Sequence, residues 1–440
     1  MKHNRKAGTS AVTRREVLVA TASSVAAFTI VPRHVLGGKG RKAPSDKLNI
    51  AGIGVGGQGF VDLYNVSTEN IVVLCDVDDQ RAEKTYWKYP KAKRYHDYRR
   101  MLDKEHKNID AVVIATTDHV HVPASVTALK MGKPCYTEKP LGHNVHEVRV
   151  LTELARNTGL ATQLGTGAHS GMNYRGVAKM VADGIIGEVR EVHCWCDKAW
   201  PGGDRPKATP PVPKHLQWDL WIGPAPFRPY HPRYLPQAWR SWWDFGNGRI
   251  GDMGCHMIDL PFTALDLKYP LTVEATGAPK HKESTTAWMI AKWTFPKRGS
   301  LPPVELTWYH GNKRPPLQKQ HNMPDWPEAT LFVGSKGMLI ADYGRFKLYP
   351  EKDFEGVRRP VLAPRHVHHQ QEWITACKEG TAKTGSHFGY SGPLTETVLL
   401  GTVAFRAGEK IHWDPLNLKV TNCPKANAYV RRENRKGWEL

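Results

Sequence analysis

Leu48-Asn-Ile-Ala-Gly-Ile53-Gly54-Val-Gly56-Gly57-Gln58-Gly59 is the stretch whose reading decides the fold. A short apolar run ends in a cluster of glycines, and a helical pattern follows. Gly54, Gly56 and Gly59 match the spacing G-x-G-x-x-G; Gly52, Gly54 and Gly57 match it too, offset by two. The first register is preferred because it leaves the preceding strand intact. In such a turn the first glycine makes the bend, the second lets the backbone approach a pyrophosphate, and the third lets the helix pack on the strand. The helix N-terminus then offers unpaired N–H groups to phosphate. A second apolar run, residues 71–75, ends at Asp76, 22 residues after Gly54. A carboxylate there accepts hydrogen bonds from ribose hydroxyls and repels a 2′-phosphate. The pattern therefore predicts a nicotinamide dinucleotide, NAD rather than NADP, on Gly54, Gly56, Gly57, Gln58, Gly59 and Asp76; nearby Arg81 keeps NADP open.

Working outward, apolar runs at 111–115, 134–137 and 161–164 alternate with helical patterns at 97–103, 122–131 and 145–158. Strands alternating with helices predict a parallel sheet covered on both faces, an α/β Rossmann domain over 46–165. The texture changes near residue 166. After a helix at 174–183 and a strand at 189–195 comes a long stretch, 199–243, rich in Pro and Trp. It is too long for an ordinary connection, and its aromatics argue against disorder. A helix near 252–266 and strand-like runs at 272–278, 287–294, 304–309 and 330–334 predict a second, α+β domain over 166–440 with an open, mostly antiparallel sheet.

The chain has 440 residues and a formal charge of +20. Residues 1–42 hold nine basic side chains against Glu16 alone, so about +12 belongs to the rest. No basic stripe, zinc-finger spacing or RNA-binding signature accompanies that charge, which excludes nucleic acid as an expected partner. Thr13-Arg14-Arg15-Glu16-Val17-Leu18 precedes a weakly apolar run, 17–31, too short for a comfortable membrane span. This resembles a twin-arginine export signal, which predicts a periplasmic or exported protein. No Ala-x-Ala site follows, so a membrane tether stays open, and 1–45 is read as signal and linker. The seven cysteines show no zinc or redox spacing and are read mostly as buried thiols.

Four further motifs stand in order. They are Ala115-Thr116-Thr-Asp-His-Val-His121, Glu138-Lys139-Pro140, Asp252-Met-Gly-Cys-His256, and Leu394-Thr-Glu396 with Trp413-Asp414. Together with the glycine turn they resemble the Gfo/Idh/MocA oxidoreductases, which include glucose–fructose oxidoreductase and inositol dehydrogenase. The resemblance covers roughly 46–440. It implies a Rossmann domain followed by an open sheet, hydride transfer between NAD(P) and a sugar or cyclitol carbinol, and a homo-oligomer. It implies Lys139, Asp252 and His256 as the catalytic set, and adds Thr116, His121, Glu138 and Lys139 to the cofactor contacts.

The residue types agree. Asp252 and His256 are four apart and share a helix face. A carboxylate orients a histidine and makes it a better acid or base. Lys139 follows the fourth of these predicted strands at the carboxyl edge, where ligands bind in open α/β sheets, and an ammonium there stabilises alkoxide charge. The expected roles are His256 as base, Asp252 as its orienting partner and Lys139 polarising the substrate oxygen. His169, Tyr174 and Trp200 are substrate candidates, with Trp242 and Asp244 as a further sugar platform. His366, His368 and His369 lack a complete ligand set, and no metal is expected. Two other functions remain open: an NAD-dependent glycosidase that oxidises its sugar transiently, and a non-catalytic sugar-binding protein.

Overall fold

The computed structural model describes residues 46–364 and 367–440. The segment read as export signal and linker, 1–45, and His366 lie outside the described residues.

The first apolar runs form the predicted parallel sheet. Its strands are β1 (Asn49–Ile53), β2 (Asn70–Cys75), β3 (Lys93–Tyr95), β4 (Ala111–Ile114), β5 (Cys135–Thr137) and β6 (Thr162–Leu164), in the order β3-β2-β1-β4-β5-β6. All five pairings are parallel. Strands β4, β5 and β6 are buried at every residue, as strands covered on both faces must be. Edge strand β3 escaped the sequence reading because Lys93-Arg94-Tyr95 is short and polar, with no apolar signal to find. Helix Val145–Thr158 has the expected bounds for local reasons. Asn144 and Glu147 close a capping box at its start, and Gly159 ends it in the left-handed conformation (φ 65°).

The second sheet has nine strands. They are β7 (Val189–Cys196), β8 (Thr272–Gly277), β9 (Met289–Phe295), β10 (Val304–His310), β11 (Glu328–Gly334), β12 (Met338–Ala341), β13 (Phe346–Tyr349), β14 (Ile411–Asp414) and β15 (Lys419–Val420). Their order is β13-β12-β11-β7-β10-β9-β8-β14-β15, and only β7–β10 is parallel. Strand β9 alternates buried and half-buried residues, as expected when one face packs and the other stays open. The predicted helix near 252–266 is two helices, Gly248–Met257 and Asp259–Ala264.

Two later helices return to the first sheet. Trp373 and Ile374 of helix His369–Glu379 enter the same apolar cluster as Ile50, Leu74 and Val113. Helix Phe388–Ala407 begins six residues before Leu394, so Leu394-Thr-Glu396 sits inside it. Glu396 is fully buried and takes a bidentate pair from Arg149 at 2.8 and 2.7 Å. Arg149 → Met would leave that carboxylate buried and unpaired, at a cost of about 3 kcal/mol. Urea unfolding should show a loss of this size; a loss under about 1 kcal/mol would mean the pair is solvated.

Candidate active site

The glycine turn is built by close approach. Gly54 has φ 73°, and a Cβ there would lie 2.7 Å from the Ala115 carbonyl. A Cβ on Gly59 would lie 1.9 Å from the Gly54 carbonyl oxygen, so only glycine lets helix Gln58–Asn65 start against β1. Asp76 is buried, and its Oδ2 accepts the backbone N–H of Val55 (2.8 Å) and Gly56 (3.1 Å). Its Oδ1 accepts the N–H of Asp78 at 3.0 Å. A carboxylate has about four acceptor positions, so one remains for a ribose hydroxyl. Arg81 folds over the turn, its side chain 2.5 Å from where a Gly57 Cβ would stand.

This turn opens into a cavity of about 410 Å³ that runs from Asp76, Asp78 and Arg81 past Thr116, Asp118 and His121 to Lys139 and Asp252. His121 sits between two carbonyls, Nδ1 2.7 Å from Pro140 and Nε2 3.1 Å from Thr116. Burial pushes the ring down to about 4, so it is neutral and donates to one of them. It ties the loop after β4 to the Glu138-Lys139-Pro140 turn.

Lys139 Nζ donates to Asp252 Oδ1 at 3.0 Å. Burial works against the ammonium, but Asp252 and Glu138 outweigh it and hold Lys139 above its usual value. Asp252 also accepts from Trp200 Nε1 (2.9 Å), Arg240 Nε (3.2 Å) and Arg249 Nη1 (2.8 Å). Burial would raise this carboxyl; Lys139, Arg240, Trp200 and Arg249 together hold it well below the usual carboxylate range. Glu138 and Asp118 go the other way, each pushed up to about 7 by burial.

His256 follows one turn later, but it is not Asp252's partner. The Asp252 oxygens are taken by four other donors, and Nδ1 of His256 is buried with no hydrogen-bond partner. Its ring stands edge-on to Tyr343, with centroids 6.3 Å apart. Burial, reinforced by the Lys139 charge, pushes it down to about 3. The expected Asp252–His256 orienting bond is therefore replaced by a Lys139–Asp252 pair. The i,i+4 spacing permits the contact, but the lysine from β5 wins it.

The other candidates divide. Trp200 belongs to the site through Asp252. Tyr174 donates to the His256 carbonyl at 3.1 Å and stacks on Tyr343. His169 lies elsewhere: its Nδ1 is 3.0 Å from Asp259 Oδ1, in a cluster with Tyr390. Trp242 is buried in an aromatic cluster with Trp218, Trp221, Tyr234 and Phe245, and Asp244 is spent on Arg205 and Arg228. His369 sits between Ser170 Oγ and the Leu164 carbonyl. Among the described residues no His, Cys, Asp and Glu group is arranged to hold a metal.

Sequence reasoning missed Arg240, Arg249, Asp118 and Trp438. Arg249 was within reach, at i−3 of Asp252. Trp438 carried no signal; only the fold brings it to the cavity. Arg99 stacks on it at 4.0 Å, and Tyr98 lies 6.1 Å from it. Arg435 secures this end of the chain on Asp219 Oδ1 (2.6 Å) and the Gly223 carbonyl. The long Trp-rich stretch covers the same cavity. Gln217 N–H donates to the Val77 carbonyl at 2.8 Å, and Asp79 N–H to the His215 carbonyl at 3.0 Å.

A Rossmann sheet, a glycine turn beside a buried aspartate, and a covered cavity ending on a lysine–aspartate pair define a dinucleotide-binding protein of the oxidoreductase type. Two family models match: "Oxidoreductase family, NAD-binding Rossmann fold" over residues 47–166, and "Oxidoreductase family, C-terminal alpha/beta domain" over 170–300. The chain belongs to the Gfo/Idh/MocA oxidoreductase family. It is 29% identical over 186 residues to glycosyl hydrolase family 109 protein 2 of Shewanella sp. (strain ANA-3), covering 39% of this chain and 40% of that protein. It is 30% identical over 151 residues to inositol 2-dehydrogenase of Salmonella typhimurium, covering 33% of this chain and 44% of that one. The chain thus aligns with about two fifths of the length of the curated relatives it matches. The fold matches the WlbA dehydrogenase of Bordetella pertussis, solved with NADH and UDP-GlcNAcA, at TM-score 0.60 and 15% identity, covering 84% of this chain and 99% of that one.

Two outcomes follow from this geometry. Trp438 → Ala should speed NAD release about tenfold, equivalent to ~1.4 kcal/mol of lost aromatic contact. Displacement of bound dinucleotide followed by fluorescence measures it, and an unchanged release rate would show that Trp438 does not cover the cofactor. The His256 ring should stay neutral from pH 8 to below 5, read by NMR on labelled histidine. Its folded value lies below the unfolded one of about 6.5, so the unfolded chain binds the proton first and this group lowers stability as pH falls below about 6.5. A titration midpoint above 6 would contradict the assignment.

Proposed function

We propose that the protein is an NAD-dependent oxidoreductase that moves a hydride between the nicotinamide and a carbinol of a sugar, cyclitol or glycoside. The observation that carries this reading is the Lys139–Asp252 pair, at 3.0 Å, in the cavity that begins at the glycine turn. Gly54, Gly56, Gly57 and Gly59 would lie against the pyrophosphate, and Asp76 would hold the ribose. Asp76 would repel a 2′-phosphate, which favours NAD, and Arg81 is then free to meet the pyrophosphate. When bound, the nicotinamide supplies the hydride acceptor or donor.

Asp252 keeps Lys139 charged. The ammonium then donates a hydrogen bond to the reacting oxygen and stabilises negative charge there. His256, neutral at physiological pH, is in the form that can accept the hydroxyl proton. The Trp200 indole N–H is committed to Asp252, which holds the ring in a fixed orientation, with a face that can pack on the apolar face of a sugar. Tyr174 acts through the His256 carbonyl as a positioning residue. The front-end motif at Arg14-Arg15 supports export with the cofactor already bound, in the periplasm or tethered to its membrane, and family membership supports a homo-oligomer.

A second reading is an NAD-recycling glycosidase. It is supported by the relative named glycosyl hydrolase family 109 protein 2 and by the covered cofactor cavity, which suits a dinucleotide that stays bound. Purified protein with NAD and a panel of cyclitols, sugars and glycosides separates the two. Absorbance at 340 nm should rise with a carbinol substrate, and Lys139 → Met should lower kcat by at least ~100-fold. Release of nitrophenol from aryl glycosides with no net NADH would favour the glycosidase. No turnover of either kind, or full turnover in Lys139 → Met, would sink the catalytic assignment.

A further inference from the structure

A second cavity, of about 200 Å³, lies between the two sheets' helices and shares no lining residue with the dinucleotide cavity. Its wall is unusual in what it leaves unpaired. Arg406, near the end of helix Phe388–Ala407, places its guanidinium 5.1 Å from the Trp243 ring centroid and 4.2 Å from that of Tyr429. No carboxylate or carbonyl among the described residues pairs with it. The carboxylates nearby are spent: Asp244 and Glu283 each accept from both Arg205 and Arg228. Burial pulls Arg406 below its usual value, and the opposing pull of Tyr429 and Asp244 does not make up for it.

The neighbours add polar groups in the same condition. Thr402, four residues earlier on the same helix face, has a buried hydroxyl with no partner. His143 is buried, and beyond a marginal approach to the Trp243 backbone its ring nitrogens make no hydrogen bond of ordinary geometry. Arg432 donates to the carbonyls of Asp244 (3.1 Å) and His119 (3.0 Å) and faces Glu147 Oε2 only at 3.9 Å, with Nε left unpaired. Lys282 and Arg431 also line the cavity, so its six basic side chains outnumber the carboxylates of Asp244, Glu283 and Glu433. Buried polar groups are nearly always satisfied, so several unsatisfied groups around one basic cavity point to a missing ligand. A planar guanidinium matches a carboxylate or phosphate. The volume is below the roughly 300–1,000 Å³ of drug-sized sites, which limits the occupant to a small molecule.

We propose that this cavity is a second ligand site, taking a small oxyanion, carboxylate or phosphate, on Arg406 and Arg432, with His143 and Thr402 as neutral contacts. Its position couples it to the first site. Asn247 lines it, donates to the His143 carbonyl at 2.9 Å, and immediately precedes helix Gly248–Met257, which carries Asp252.

The test uses the full chain with saturating NAD, so that the dinucleotide site is blocked. Inorganic phosphate is titrated in one arm and gluconate in the other, with NaCl holding ionic strength constant, and Tm and binding heat are recorded. At least one anion should give a saturable rise in Tm with a millimolar or tighter Kd, and Arg406 → Met should weaken it at least tenfold. A response to phosphate alone assigns a phosphorylated ligand, and one to gluconate alone a carboxylated one. Arg406 → Lys keeps the charge and loses the fork; it should also weaken binding, and it decides the matter if Arg406 → Met does not fold. No saturable response to either anion, or a variant that titrates like the parent chain, overturns the proposal.

Discussion

The Asp252 carboxylate is the constraint around which the functional part of this molecule is arranged. It is largely buried, and a buried charge is tolerated only when paired and hydrogen-bonded. Its four donors come from three parts of the chain: Lys139 after β5, Trp200 and Arg240 from the long stretch after β7, and Arg249 on its own helix. Satisfying one carboxylate therefore draws the carboxyl edge of the first sheet and the helix under the second into one place. It also orders part of the Trp-rich stretch, since Arg240 stacks on Trp239 at 4.2 Å while it reaches Asp252.

Around that pair the acidic groups are driven apart. Asp252 is held charged by its donors, whereas Glu138 and Asp118, close by, are pushed to about 7 by burial. The same polypeptide so keeps one carboxylate permanently ionised and two poised near neutrality, the separation from which acid and base roles are assigned in enzyme sites. The histidines follow the opposite rule: burial takes His121 to about 4 and His256 to about 3, so both are neutral at physiological pH. Lys139 is then a permanent positive charge at the dinucleotide cavity, which Arg240 and Arg81 line as well.

Much of the fold was legible because its signals are local. The glycine spacing, the apolar runs and Asp76 placed five of the first sheet's six strands and the turn between β1 and its helix. Helix Val145–Thr158 was read to the residue, and the structure closes a capping box at its start. What escaped was either short and polar, as β3 is, or carried by partners distant in sequence. Helix Phe388–Ala407 has Pro393 inside it, a residue that reads as a boundary, yet it is buried along almost its whole length. Its start could not be placed without the packing that compensates. His169 looked like a substrate contact by its place after β6, and only the arrival of Asp259 from the second half claims its ring.

The sequence by itself determined the parallel dinucleotide-binding sheet, the family, and the presence of Lys139, Asp252 and His256 in one neighbourhood. Backbone sterics at glycine and the burial of apolar strands act over a few residues, and they leave a periodic trace that can be read directly. Only the tertiary structure decided which of those three side chains pair. The spacing allowed Asp252 to meet His256, but Lys139, Trp200, Arg240 and Arg249 converge on it from segments up to 113 residues away and exhaust its acceptor positions. Long-range competition for one buried charge leaves no periodicity in the chain, and so it is visible only once the chain is folded.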